Sequence, residues 1–117
     1  MPQSRILLLD GGLGTSLEDK YGVKFSNDTP LWSSHLLANG QSDVLLACQR
    51  DFGNVPVDIM LTATYQVSIE AFARTITPQH PLGILEHHMP VYLETAVAIA
   101  EEAKQPAASI AISLGPY

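Results

Sequence analysis

The chain has 117 residues, 46% of them apolar and 15% charged, with 8 Gly and 8 Pro. That composition excludes a disordered or low-complexity segment, and a fold of this size buries roughly two-thirds of its unfolded surface, enough for one modest core. Six Lys and Arg against twelve Asp and Glu give a net charge of −6, and the basic residues are scattered from Arg5 to Lys104, which argues against nucleic acid or an anionic membrane as partner.

The first element expected is a strand over Arg5–Asp10. It is a short continuous apolar run, of the kind buried on both faces, ending in a carboxylate and the tight turn Gly11-Gly12. Thr15-Ser-Leu-Glu18 matches a capping box, so a short helix is expected from Thr15, ended by Gly22. Ser26 to Ser34, with Asn27, Asp28 and Pro30 ahead of Leu31-Trp32, reads as loop.

From Ser42-Asp43 a second helix is expected. Val44, Leu45, Cys48 and Phe52 recur at helical spacing and put Cys48 on the inner stripe. Val57–Thr64 is the second strand, turning polar at Thr62, Thr64, Tyr65 and Gln66. Ser68–Arg74 reads as helix and Thr75–Pro81 as loop. Beyond Pro90, which suits a first helical turn, a longer helix runs to Lys104 with Leu93, Ala96, Val97, Ala100 and Ala103 on one face. Ala107–Leu114 is a third apolar strand, followed by Gly115-Pro116-Tyr117.

Strands alternating with helices imply parallel pairing through helical crossovers, an α/β fold. The strand ends at Asp10, Thr62 and Ser113 lie 52 and 51 residues apart, without any accompanying repeat of sequence. Three strands leave an open edge at Ala107–Leu114, and a (β/α)₈ barrel takes about 250 residues, so the pattern reads as the first third of such a barrel. No run reaches the roughly 18 apolar residues that span a bilayer, and Ile6–Leu9 is too short for the core of a signal peptide. The single cysteine, Cys48, excludes an internal disulfide framework, and a cytoplasmic location is expected.

In parallel α/β folds chemistry gathers at the carboxyl ends of the strands. Those positions hold Asp10 with Gly11 and Gly12, then Thr62, Thr64, Tyr65 and Gln66, then Ser113 and Tyr117. Such a set suits an amino acid, a carboxylate meeting its ammonium while N–H groups and hydroxyls hold its carboxylate. Asp10 equally suits a capping role, accepting N–H bonds from the glycine turn. Asp-Gly-Gly-Leu-Gly fails as a nucleotide loop, because Leu17 stands where a third glycine belongs and Asp10 would repel phosphate. His35, His80, His87 and His88 are expected in exposed or loop positions, the adjacent pair pointing apart. Cys48 is expected as a small buried hydrophobe and Trp32 as a packing residue.

Ile6-Leu-Leu-Leu-Asp-Gly-Gly-Leu-Gly-Thr-Ser-Leu-Glu18, Leu31-Trp-Ser-Ser34, Val57-Asp-Ile-Met-Leu-Thr-Ala-Thr-Tyr-Gln-Val-Ser68 and Ser113-Leu-Gly-Pro-Tyr117 together resemble the homocysteine S-methyltransferase family. The likeness covers nearly the whole chain and is greatest to members using S-methylmethionine or S-adenosylmethionine. It implies a (β/α)₈ barrel of which residues 1–117 are the N-terminal portion. It also implies transfer of a methyl group from a sulfonium donor to homocysteine, giving methionine. Carried onto this sequence, Asp10 binds the homocysteine amino group, Gly11 and Gly12 let substrate approach the backbone, and Thr62, Thr64, Tyr65 and Gln66 line the pocket. The resemblance further implies a zinc ion on three cysteines of later strands, with which Cys48 does not correspond, so this chain alone is expected to be inactive. Two other readings stay open: a non-catalytic truncated product serving as a binding or interaction piece, and a small α/β domain for another amino acid.

Overall fold

The structure, a computed structural model, describes residues 6–25, 31–38, 40–55 and 57–115. Arg5, the loop residues Asn27, Asp28 and Pro30, and the terminal Tyr117 lie outside the described residues.

Helix α1 (Leu13–Tyr21) leads to a 3-10 turn (Trp32–Ser34), α2 (His35–Ala38) and α3 (Ser42–Gly53). Strand β1 (Ile59–Leu61), α4 (Ile69–Ala73), a second 3-10 turn (Glu86–His88), α5 (Met89–Ala103) and β2 (Ser109–Ala111) follow. The two strands pair in parallel, Ile59 with Ser109, Met60 with Ile110 and Leu61 with Ala111. Leu9 adds a single parallel bridge to Ile59 on the other side of β1. The sheet among the described residues thus has two strands and not three: the strand expected over Arg5–Asp10 is reduced to the Leu9 bridge, an arrangement compatible with the α/β pattern.

Each helix buries the stripe its periodicity defines. On α3, Leu45 and Cys48 are fully buried and meet Leu17 of α1, Leu36 and Leu37 of α2, and Ala96 and Ile99 of α5. Each leucine so buried contributes about 1.5–3 kcal/mol through the area it removes from water. Met60 of β1 packs on Ala100 and Ala103 of α5, fixing the sheet against that helix. Gly53 ends α3 where its backbone crosses the last turn of α5, so closely that a Cβ there would sit 2.1 Å from the Ala103 carbonyl oxygen. Pro90 occupies the first turn of α5, and the Ser68 hydroxyl caps α4 by accepting from the Ala71 N–H at 3.0 Å. Among the described residues, no helix is long and apolar enough to cross a membrane.

Several expectations are corrected. Ile6, Leu7, Leu8 and Leu9 are 85%, 50%, 52% and 56% exposed, not buried on both faces, because no described element packs across them. The helix expected from Thr15 starts at Leu13: Gly12, at φ +61°, is the cap and brings no side chain to it, and Thr15 lies inside the first turn. A left-handed turn ahead of a helix sets its start by backbone geometry, which overrides a capping-box pattern three residues further on. Residues 32–38, read in part as loop, are helical in two short pieces. The strands over Val57–Thr64 and Ala107–Leu114 shorten to three residues each, because each pairs on a limited length of neighbour. His87 and His88 do not point apart. Their ring centroids are 4.0 Å apart, His80 lies 4.9 Å from His88, and His80 Nε2 is 2.9 Å from the Tyr92 hydroxyl. His35 lies within α2, half-buried, and burial holds its pKa below the ordinary value.

Candidate functional site

The turn at Gly11-Gly12, the first turn of α1 and the carboxyl end of β1 enclose an open cleft of about 390 Å³. It is lined by Asp10, Gly11, Gly12, Leu13, Gly14 and Thr15 together with Leu61, Thr62, Ala63, Tyr65 and Ser113. The site exists because the chain leaves the sheet abruptly. Leu8 O accepts from Ile59 N at 3.1 Å, and Asp10 N donates to Ile59 O at 3.2 Å, a regular parallel rung. Gly12 then turns at φ +61° into α1. The next rung of backbone partners is missing on that side, and the cleft opens at this end of β1.

Asp10 supplies a substitute. Its Oδ1 accepts the Leu61 N–H at 2.8 Å, so the carboxylate caps the edge of β1 across the sheet and not the glycine turn. Burial pushes the Asp10 carboxyl above its ordinary value of 3.8, opposed by the Leu61 N–H and by its own backbone N–H. A partly desolvated carboxylate in a cleft favours a cation close to it. In the same cleft, the first turn of α1 carries no acidic residue, and its N–H groups lack intrahelical partners. A negative charge is favoured there.

Thr62 and Thr64 behave differently from what their type suggests. Thr64 Oγ1 donates its one proton to the Ser113 carbonyl at 2.6 Å. The 2.7 Å contact between the two hydroxyls must then run from Thr62 to Thr64, and Thr62 Oγ1 accepts the Ser113 N–H at 3.2 Å. Both protons stay inside the protein, clasping the end of β1 to the end of β2. In this arrangement neither hydroxyl donates to a ligand, although Thr62 can still accept.

Of the predicted set, Asp10, Gly11, Gly12, Thr62 and Tyr65 meet at the cleft, with Ser113 beside them. Thr64 instead faces a separate apolar groove with Val67, Leu93 and Leu114, and Gln66 lines neither space. Sequence reasoning missed Gly14 and Thr15, which the glycine turn would have placed in the first helical turn. It also missed Gln49, a fully buried residue of α3 whose Nε2 donates to Leu61 O at 3.0 Å. Nothing in its spacing sets Gln49 apart. Trp32, at φ +48° and 42% exposed, packs against Phe25 with ring centroids 5.7 Å apart.

The zinc that the resemblance implies is not matched by these residues. Among the described residues no three His, Cys, Asp or Glu side chains converge as a ligand set, and Cys48 is fully buried in the core with its thiol pKa raised by burial. The chemistry open to the cleft is recognition: a carboxylate for a cation and helix N–H groups for an anion.

The model of the family described as homocysteine S-methyltransferase matches residues 7–117. The homocysteine S-methyltransferase YbgG of Bacillus subtilis is 31% identical over 96% of this chain and 36% of its own length. Homocysteine S-methyltransferase 2 of Saccharomyces cerevisiae is 34% identical over 68% of this chain and 26% of its own. The betaine-homocysteine S-methyltransferase of Drosophila melanogaster is 30% identical over 86% of this chain and 28% of its own. The chain spans about a third of the length of the curated relatives it matches. No solved structure matches it.

Proposed function

The chain belongs to the homocysteine S-methyltransferase family, and from that membership we propose that its cleft holds the amino-acid end of homocysteine. The observation that carries this is the Asp10 carboxylate, partly desolvated and lining the same cleft as the amino-terminal turn of α1. Asp10 takes the ammonium, and the N–H groups from Leu13 to Thr15 take the carboxylate. A zwitterion has both charges on one carbon, so two such poles fix the direction in which its side chain leaves the site. Thr62 Oγ1, its proton committed to Thr64, adds an acceptor to the same cleft.

The reaction we assign to the complete protein joins the homocysteine sulfur to a methyl group. The new carbon–sulfur bond forms as the bond from that methyl to a sulfonium donor, S-methylmethionine or S-adenosylmethionine, breaks. The thiol loses its proton to solvent and the donor leaves as a neutral thioether. This segment's share is binding and orientation. The order Leu9, β1, β2, parallel and sequential, supports placing it as the first three strands of a (β/α)₈ barrel.

The test compares L-homocysteine with 4-mercaptobutyrate, the same molecule without its amine, by calorimetry on the complete polypeptide. A charge-assisted contact is worth about 2–4 kcal/mol when its partner is left unpaired, so the amine should improve affinity by about 30-fold or more. Equal binding of the two ligands would refute the assignment.

A further inference from the structure

The last rung of the sheet beside the cleft is built from side chains. In a parallel ladder, a residue's N–H and C=O reach the two residues that flank its partner on the neighbouring strand. Ile59 does this, bonding Leu8 O and Asp10 N at 3.1 and 3.2 Å. Leu61, one rung on, would need the carbonyl of Asp10 and the N–H of Gly12, but Gly12 has turned into α1. Leu61 N–H goes to Asp10 Oδ1 at 2.8 Å, and Leu61 C=O receives Gln49 Nε2 at 3.0 Å.

We infer that Gln49 is a positioning residue for the amino-acid pocket, holding the Leu61 backbone so that its N–H orients the Asp10 carboxylate toward a bound ammonium. Gln49 is fully buried, and a carbonyl can only accept, so the nitrogen of its amide must face Leu61. The other end, Oε1, is buried with no hydrogen-bond partner. An apolar side chain of similar volume would avoid that orphaned oxygen, so what the glutamine contributes here is the donor to Leu61. Without it the Leu61 carbonyl loses its partner, the end of β1 is free to tilt, and the Asp10 bond loses its fixed direction. The inference rests on the homocysteine reading of the cleft, and its test separates the two.

On the complete polypeptide, Gln49→Met keeps the volume and removes the donor. The expected result is about tenfold weaker binding of L-homocysteine, with binding of 4-mercaptobutyrate, which has no ammonium for Asp10, unchanged. In an Asp10→Asn background, Gln49→Met should weaken homocysteine binding no further, since it acts through that carboxylate. An equal loss for both ligands, no loss for either, or additive losses would each overturn the positioning role. If Asp10→Asn alone leaves discrimination between the ligands intact, the pocket reading itself fails, whatever Gln49 does. Should Gln49→Met not fold, Gln49→Glu carries the test. Its protonated carboxyl can donate to Leu61 and its ionised form cannot, so discrimination should match the parent at acid pH and decline relative to it as pH rises. A constant ratio to the parent would overturn the inference.

Discussion

Replacing Asp10 by asparagine or by alanine separates its two roles. Asp10→Asn retains an oxygen that can accept the Leu61 N–H, 2.8 Å away in the parent, but carries no charge. Asp10→Ala removes both. A hydrogen bond to a charged group contributes about 1.5–3 kcal/mol, and relief of the carboxylate's desolvation offsets part of it. We therefore expect Asp10→Ala to lose about 1–2 kcal/mol of stability in urea and Asp10→Asn to lose about half a kcal/mol or less. Homocysteine affinity should fall in both, by about 2–4 kcal/mol, or roughly 30-fold to 1,000-fold. The pH profile adds a check. Burial raises the Asp10 carboxyl above 3.8, and only the ionised form pairs with an ammonium, so parental affinity should decline on the acid side at a higher pH than an ordinary aspartate gives. For stability the sign is opposite: the folded state favours the protonated carboxyl, so this group's contribution declines as pH rises through its folded value. Calorimetric titration of parent and both variants decides. An Asp10→Asn protein that binds homocysteine within twofold of the parent would refute the reasoning.

Gly53→Ala should destabilise by about 3 kcal/mol, because its Cβ would meet the Ala103 backbone oxygen at 2.1 Å and neither helix end can yield cheaply; an unchanged urea midpoint would contradict the packing of α3 on α5. Thr64→Val removes the donor to Ser113 O and the acceptor for Thr62, leaving buried groups unpaired, and should cost about 2 kcal/mol by the same measurement. Tyr21 donates to Asp51, which also pairs with Lys20 at 2.9 Å, and that hydrogen bond pushes the phenol up to about 12 from its ordinary 10.0. Its contribution holds below the unfolded value of 10.0 and is lost as pH rises toward 12. An NMR titration of the Tyr21 ring carbon should show that midpoint, and Asp51→Asn should return it toward 10.0; a parental midpoint at the ordinary value would remove the interaction.

The sequence by itself determined what short-range rules control. Apolar residues at helical spacing place α3 and α5 and bury Cys48, Ala96 and Ala100, because a helix turns its stripe inward wherever it sits. The alternation of elements implies parallel strands, since a crossover helix returns the chain in the same direction. Asp10 and Thr62 were legible as strand-end groups for the same reason, and they do meet at one cleft. What only the tertiary structure decided is which atom faces which. Asp10 and Leu61 are 51 residues apart, Gln49 and Leu61 are 12 apart, and Thr64 and Ser113 are 49 apart. No spacing rule links such positions. The clasp that withholds both threonine protons, the buried glutamine on the Leu61 carbonyl and the exposure of Ile6–Leu9 all depend on partners brought, or not brought, by packing. A hydrogen bond is settled by distances of a few ångströms between atoms the chain holds far apart in sequence, and only the assembled fold fixes those distances.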